Sequence, residues 1–341
     1  MTPLLLTYLC DPITKKDLRL TEAIWKDGRI EAGYLESPDG VKYPISRGIP
    51  RFANRSRQES VESFGDEWNH FNFTDFQLNW LTHTVANTFG SKDVFRDKIV
   101  VDAGGGSGAQ SLWILESGAK HVVMLELSHS VDDVVVRNID SKRFPNFDVI
   151  QCSIDAPPIK DNSIAGMVYC HNVIQHTPSV ENTARALFRI VAPGGEFVFN
   201  CYGRNDQGFF RWVRFHCIYT PLRYLLSKLS FGSLLNYARI AAVLRLVPIV
   251  GYVMEKTHLC VQGDVPILPA ETLSQRLKRR YKTTMLNTFD SYGSHSYQHH
   301  KSDDEIRNLI ASLQSDPQKI LNTEKYFSRP APIGCALRIQ K

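Results

Sequence analysis

The stretch VVDAGGGSGAQS at 100–111 sets three consecutive glycines, and a fourth at Gly108, directly after a run of strand-forming residues. A strand ending at Asp102 and a helix beginning near Gly108 would leave the glycines in the turn between them. There a ligand can meet backbone amides at the positive end of a helix. A tight turn needs one glycine for a positive φ, so four predict close approach to a ligand as well. Gly104, Gly106 and Ala109 satisfy the spacing GxGxxG/A, and Glu126, about 20 residues on, stands where a ribose-binding carboxylate belongs. The spacing alone does not separate a nicotinamide dinucleotide from other adenosine ligands. Further along, His176 in IQHTP, Tyr202, and the imidazoles His295, His299 and His300 of HSYQHH have the chemistry of general bases. The bland reading of His176 is a turn cap, that of Tyr202 a core side chain. The HSYQHH cluster could also ligate a metal, but no carboxylate follows at helical spacing until Asp303. The expectation is a lid over an acceptor pocket, without metal.

These residues need a frame to hold them. From Lys98 onward the chain alternates apolar runs with amphipathic stretches, the βαβ rhythm of a parallel sheet. Strands are predicted at KIVVDAG, HVVMLEL, FDVIQC, AGMVYCH and GEFVFNCY, with helices at about 108–118, 130–140 and 179–191 between them. Ser179 sits at an N-cap, and Pro193-Gly194-Gly195 supplies the stop. Ser302 with Glu305 fits a capping box ahead of Ile306 and Leu309, and strands near KILNTEKY and GCALRIQK would finish the sheet. The division predicted is a small β-rich module over 1–53, a helical cap over 54–97, a nucleotide-binding core over 98–203, a helical insertion over 204–290 and a C-terminal lid with the last strands over 291–341. In the first module the turn formers Lys26-Asp27-Gly28 and Ser37-Pro38-Asp39-Gly40 separate short strands. The aromatic residues between Phe64 and Trp80 either close the pocket or pack.

Composition narrows the classes. With 341 residues, 43% hydrophobic and 22% charged, the chain is that of an ordinary globular protein. Seven cysteines occur singly at 10, 152, 170, 201, 217, 260 and 335, which predicts reduced thiols in a cytoplasmic setting. The N-terminal apolar run lacks a basic region before it and a small-residue cleavage site, so a signal peptide is not expected. The most apolar segment carries Arg239, Arg245 and Pro248, against a membrane span. Between 209 and 254 basic residues interleave with Trp, Phe and Leu; a helical cap is expected there, with peripheral membrane contact as the alternative. The net charge of +5 is mild. The basic run RLKRRYK at 276–282 admits RNA contact, although a solvated helix face explains it too.

The sequence resembles a known family on these residues. VVDAGGGSG is similar to the cofactor loop VLDxGxGxG of class I S-adenosylmethionine-dependent methyltransferases, in the group that resembles ubiquinone and menaquinone methyltransferases. MLELS is similar to that family's acidic strand end, and IKDNSIAGMVYCHNVIQHTPSVENTARALFRIVAPGGEFVF to its fourth-to-fifth strand segment. YPISRGIPRF at 43–52 and SFGDEWNHF at 63–71 resemble flanking segments of the same group. The resemblance implies a Rossmann-like seven-stranded α/β sheet, S-adenosyl-L-methionine as cofactor, and methyl transfer to a small-molecule or lipid-like acceptor. It implies that Asp102 and the amides of Gly104, Gly105 and Gly106 orient the amino-acid end of the cofactor. Glu126 would hold the ribose, Leu127 and Ile154 the adenine, and His171 and Asn172 the border of the methyl group. His176, Tyr202 and His299 would be the catalytic candidates. Where the family has an Asp for the adenine amino group this chain has Ser153, with Asp155 nearby. Related ribbon modules carry two cysteine pairs for zinc; here Cys10 remains, followed by Asp-Pro-Ile, and Ser37 and Gly40 stand at the other positions, so no structural zinc is expected. A nicotinamide-dependent oxidoreductase, an RNA methyltransferase and a non-catalytic binding module are the competing readings.

Overall fold

The computed structural model describes residues 1–53, 62–140, 142–204, 206, 208–261, 271–293, 296–328, 332 and 334–341. It divides into two compact units, one formed by Met1–Gly203 with Ser296–Lys341 and the other by Arg204–His295.

The first unit opens with a helix, α1 (Pro3–Tyr8), inside the segment expected to be β-rich. Thr2 caps it through a hydroxyl that accepts from the Leu5 amide, and Pro3 sits in its first turn, where a missing N–H costs nothing. An antiparallel sheet follows, ordered β1 (Arg19–Lys26), β2 (Arg29–Glu36), β3 (Lys42–Ser46) and β4 (Ile49–Pro50). β1 and β2 turn on two residues, Asp27 (φ 49°) and Gly28 (φ 73°); both left-handed conformations match the strand twist. Hydrogen-bonded turns join these elements. The Asp11 carboxylate accepts from the amides of Ile13 and Thr14 and from the Tyr43 hydroxyl, and the Ser37 hydroxyl accepts from Val41 N.

A helix, α2 (Glu62–His70), and a helical stretch, α3 (77–89), whose middle turns over Trp80–Val85 are wide π turns, lead into the main sheet. Its strands are β5 (Ile99–Ala103), β6 (His121–Glu126), β7 (Phe147–Gln151), β8 (Met167–Cys170), β9 (Glu196–Phe199), β10 (Ile320–Leu321) and β11 (Leu337–Gln340), in spatial order β10-β11-β9-β8-β5-β6-β7. β5 to β9 are mutually parallel; β11 runs antiparallel to β9 and to β10. Every residue of β6, β7 and β8 is buried, as expected of parallel strands covered on both faces. The connecting helices are α4 (Ala109–Glu116), α5 (Val134–Asn138) and α6 (Val180–Ile190, capped by Ser179). The helix expected at 130–140 shortens to α5, after a 3₁₀ turn at His129–Val131; three consecutive β-branched valines begin it. The strand expected over KILNTEKY shortens likewise, to Ile320–Leu321, and Thr323–Phe327 is helical.

In the second unit, α7 (209–226), α8 (Phe231–Leu246), α9 (Pro248–Lys256) and α10 (Leu273–Tyr292) pack on one another. Back in the first unit, α11 (Asp303–Leu313) carries the Ser302–Glu305 capping box. Among the described residues no helix is long and apolar enough to cross a membrane, and no group of three or more His, Cys, Asp or Glu is gathered to hold a metal. All seven cysteines are free, and all but Cys217 are buried.

The N-terminal module belongs to the same compact unit as the main sheet and is pinned to β7. Asp148, on β7 with its side chain fully buried, accepts from Thr2 N at 2.7 Å and from the Thr2 hydroxyl, and it meets Arg29 Nη2 at 3.0 Å and His121 Nε2 at 2.9 Å. Removing one partner from a buried charge network leaves the others uncompensated. Asp148→Ala should therefore cost about 3–5 kcal/mol in urea denaturation. A loss under about 1 kcal/mol, the range of exposed pairs, would mean the module is not held at this point.

Candidate functional site

The carboxyl ends of β5, β6 and β8 meet where the strand order reverses, the position at which open α/β sheets bind ligands. β5 delivers Asp102, β6 delivers Glu126 and β8 delivers His171 to this crevice. The loop after β5 turns through Gly104 (φ 85°), Gly106 (φ 56°) and Gly108 (φ 77°), conformations that favour glycine.

The glycine amides of this loop are committed internally. Gly104 N and Gly105 N both donate to Leu125 O (2.8 and 3.2 Å), Gly108 N to Gly105 O (2.9 Å) and Gly106 N to Glu126 Oε2 (2.8 Å). Nor is the space beside the glycines left to a ligand. A Cβ on Gly104 would lie 2.3 Å from Val173 Cγ1, one on Gly105 2.5 Å from Met124 Cγ, and one on Gly106 2.8 Å from the Trp68 indole. The glycines therefore fold the loop tightly onto β6 and beneath Trp68 of α2.

Acceptors are what remain. Glu126, 7% exposed, takes Gly106 N on Oε2 and Ser128 N on Oε1, both at 2.8 Å. A carboxylate has about four lone-pair positions, so each oxygen keeps one. Asp102 is buried and accepts from the Ser111 hydroxyl at 2.6 Å. Burial pushes its pKa up from the ordinary 3.8 to about 6, against the lowering effect of Ser111 and with help from the charge of Glu126. His171 lies parallel to the Tyr169 ring and hydrogen-bonds Gly334 O through Nε2 at 3.2 Å. A carbonyl only accepts, so Nε2 carries the proton and Nδ1 the lone pair. That Nδ1 is buried without a hydrogen-bond partner among the described residues. Burial pushes the His171 pKa down to about 4, which keeps the ring neutral at physiological pH.

A second group lies beyond β8. Residues 297–301 run beside the loop at 175–177 and the end of β9: His299 N donates to Gln175 O, His299 Nε2 to Thr177 O at 3.0 Å, and Lys301 N to Tyr202 O. His176 donates through Nδ1 to Tyr297 O at 3.1 Å, so its lone pair is on Nε2. Its ring lies edge-on to Tyr202 at 5.4 Å, and His300 approaches the same phenol at 5.7 Å. Four of the five base candidates are thus brought together; His295 lies outside the described residues. Asn172, in a left-handed conformation (φ 59°), exchanges hydrogen bonds with Asn200.

Of the expected adenine contacts, Leu127 is half-buried beside Glu126, while Ile154 is buried in the core cluster with Cys152 and Ile159. Ser153 closes a turn through its carbonyl, which accepts from Ala156 N. Several residues of the site were not singled out from the sequence. Ser111 closes the glycine stretch and steadies Asp102, and Ser130 donates to Gly106 O at 2.7 Å. Arg51, in the YPISRGIPRF segment, meets both Asp132 oxygens and Gln151 Oε1, and Gln151 in turn donates to Ser128 O. A polar residue one helical turn into a glycine-loop helix was the available signal for Ser111; the others depend on long-range contacts.

Because its folded pKa is raised, Asp102 contributes stability fully present below about pH 4 and lost as pH rises through about 6. At about 1.4 kcal/mol per unit the effect is of order 3 kcal/mol. Asp102→Asn should raise the melting temperature at pH 7 and remove this part of the pH dependence between about 4 and 6. Identical pH profiles for both proteins would show that Asp102 is not buried in this way.

Comparison with known proteins agrees with the fold. Residues 101–199 match the family described as Methyltransferase domain. Curated relatives include protein arginine N-methyltransferase 1 of Oryza sativa subsp. indica, 33% identical over 84 residues (23% of this chain, 21% of the relative), and that of Saccharomyces cerevisiae, 30% identical over 77 residues (22% of each). The chain thus spans about a fifth of the length of these relatives. Among solved structures, a SAM-dependent methyltransferase from Thermotoga maritima, described as a possible histamine N-methyltransferase, aligns over 75% of this chain and 80% of its own at 12% identity and a TM-score of 0.38. With this match lying across β5 to β9, residues 101–199 form a methyltransferase domain, carried on the seven-stranded Rossmann-like α/β sheet.

Proposed function

We propose that this chain transfers a methyl group from S-adenosylmethionine to a small-molecule or lipid-like acceptor by in-line displacement. The observation that carries this reading is the acceptor-rich crevice: two carboxylates and an imidazole lone pair around a loop whose glycine amides at 104, 105, 106 and 108 already bond within the protein. Such a lining suits a cationic ligand with an ammonium and a ribose diol. The sheet order supports the same choice, because an antiparallel strand, β11, lies between β9 and β10, unlike the all-parallel dinucleotide-binding order.

When bound, the cofactor supplies an already activated methyl carbon, so the protein's task is orientation and exclusion of water. The two remaining lone pairs of Glu126 suit the two ribose hydroxyls, and Leu127 suits a face of the adenine. Asp102 and His171 Nδ1 suit the ammonium, and Trp68 of α2 covers the loop. His176 Nε2 is the lone pair in the right tautomer to accept the proton of an oxygen or nitrogen nucleophile, with Tyr202 and His299 beside it. The names of the curated relatives raise a protein arginine acceptor as a second reading, but the likeness spans 84 residues. RNA is disfavoured because Arg279 in the basic run is paired with Glu271 through two 2.6 Å contacts.

Calorimetry with S-adenosylmethionine, S-adenosylhomocysteine and NADH tests the reading, followed by product identification from host extract and labelled methyl donor. Glu126→Ala should weaken binding of the methyl donor by about tenfold to a hundredfold, since hydroxyls would lose a buried charged acceptor. Unchanged affinity, or tight NADH binding without any for the methyl donor, overturns it. His176→Phe should lower kcat while leaving cofactor affinity within about twofold, as expected of a base that acts only in the transition state.

A further inference from the structure

The second unit carries a surface that methyl transfer as such does not use. Between Gly208 and Lys256 the sequence contains seven Lys or Arg residues and one acid, Glu255, which is paired with Arg245. α8 turns Leu234, Leu235, Ala238 and Ala242 inward and leaves Ile240, Val243 and Leu244 exposed. At Val247–Pro248 the chain turns into α9, which buries Gly251 and Met254 and exposes Ile249 (80%), Val250 and Val253. Gly251 permits the close turn, as a Cβ there would lie 2.2 Å from Arg245 O. The two helices thus present one apolar ridge at their corner. On α7 of the same unit Phe209 and Phe210 stand 74% and 85% exposed, with Trp212 half exposed. Scattered exposed apolar residues are ordinary, but a contiguous ridge marks an interaction surface.

Charge selects the occupant. Arg239 and Lys256, both exposed, flank the ridge, and Arg211 stands beside the exposed aromatics. Lys256 lies over the Tyr252 ring at 5.5 Å and Lys228 over Tyr224 at 3.7 Å. Tyrosine paired with lysine at the border of an apolar face is the arrangement that anchors at a membrane–water interface. We infer that this helical unit docks peripherally, without spanning, on the surface of a bilayer containing anionic lipid, inserting the α8–α9 corner.

The full-length chain should co-sediment with phosphatidylcholine vesicles containing phosphatidylserine, bind pure phosphatidylcholine less, and lose binding as salt is raised. Ile249→Glu and Phe210→Glu, at fully solvated positions, should each lower partitioning by about tenfold or more while the circular dichroism spectrum and melting temperature stay unchanged. Absence of binding to phosphatidylserine vesicles overturns the inference, as does binding indifferent to both substitutions. A concentration-dependent dimer that Ile249→Glu dissolves, without vesicle binding, would reassign the ridge to a second copy of this chain. None of these readouts requires turnover.

Discussion

The two hydrogen bonds that Gly106 and Ser128 donate to the Glu126 carboxylate hold the crevice together. A buried carboxylate without donors is costly to ionise, and these amides lie on two different loops, so satisfying the charge also fixes the loops against each other. The ties continue outward. Ser130 returns to the Gly106 carbonyl, Asn138 reaches Ser107 O, and Arg51 braces Asp132 and Gln151 from the N-terminal module. A ligand placed against Glu126 therefore meets an acceptor oriented before it arrives, which lowers the ordering cost of binding.

Much of the frame is legible in the sequence because its causes are local. The IVV of β5 and the VVML of β6 are unbroken apolar runs, which fits strands covered on both faces, and Ser179, Ser302 and Asp27-Gly28 perform the cap and turn duties their chemistry suggests. The glycine loop is legible in place but not in duty. Spacing says that backbone comes close to something; it does not say that the neighbours are Val173, Met124 and Trp68. His171 shows the same limit, since its tautomer is set by a carbonyl at Gly334, 163 residues away. Local competition hid α1, where proline and threonine start a helix within a β-rich segment, and shortened the helix at α5.

The N-terminal module is held by local turns and by its fit to the core. Asp11 and Ser37 close their turns by accepting backbone amides. Contacts at Asp148 and Arg51 then secure the module, so its folding is coupled to that of β6 and β7.

The distribution of sulfur has its own consequence. Six cysteines are buried, and burial raises the pKa of each, disfavouring the reactive thiolate. Cys217, on α7 among Arg214, Phe215 and His216, is the exposed exception. Alkylation of the native chain should therefore be confined to one address, and a solvatochromic maleimide attached there would report polarity changes around the helical unit while leaving the sheet untouched.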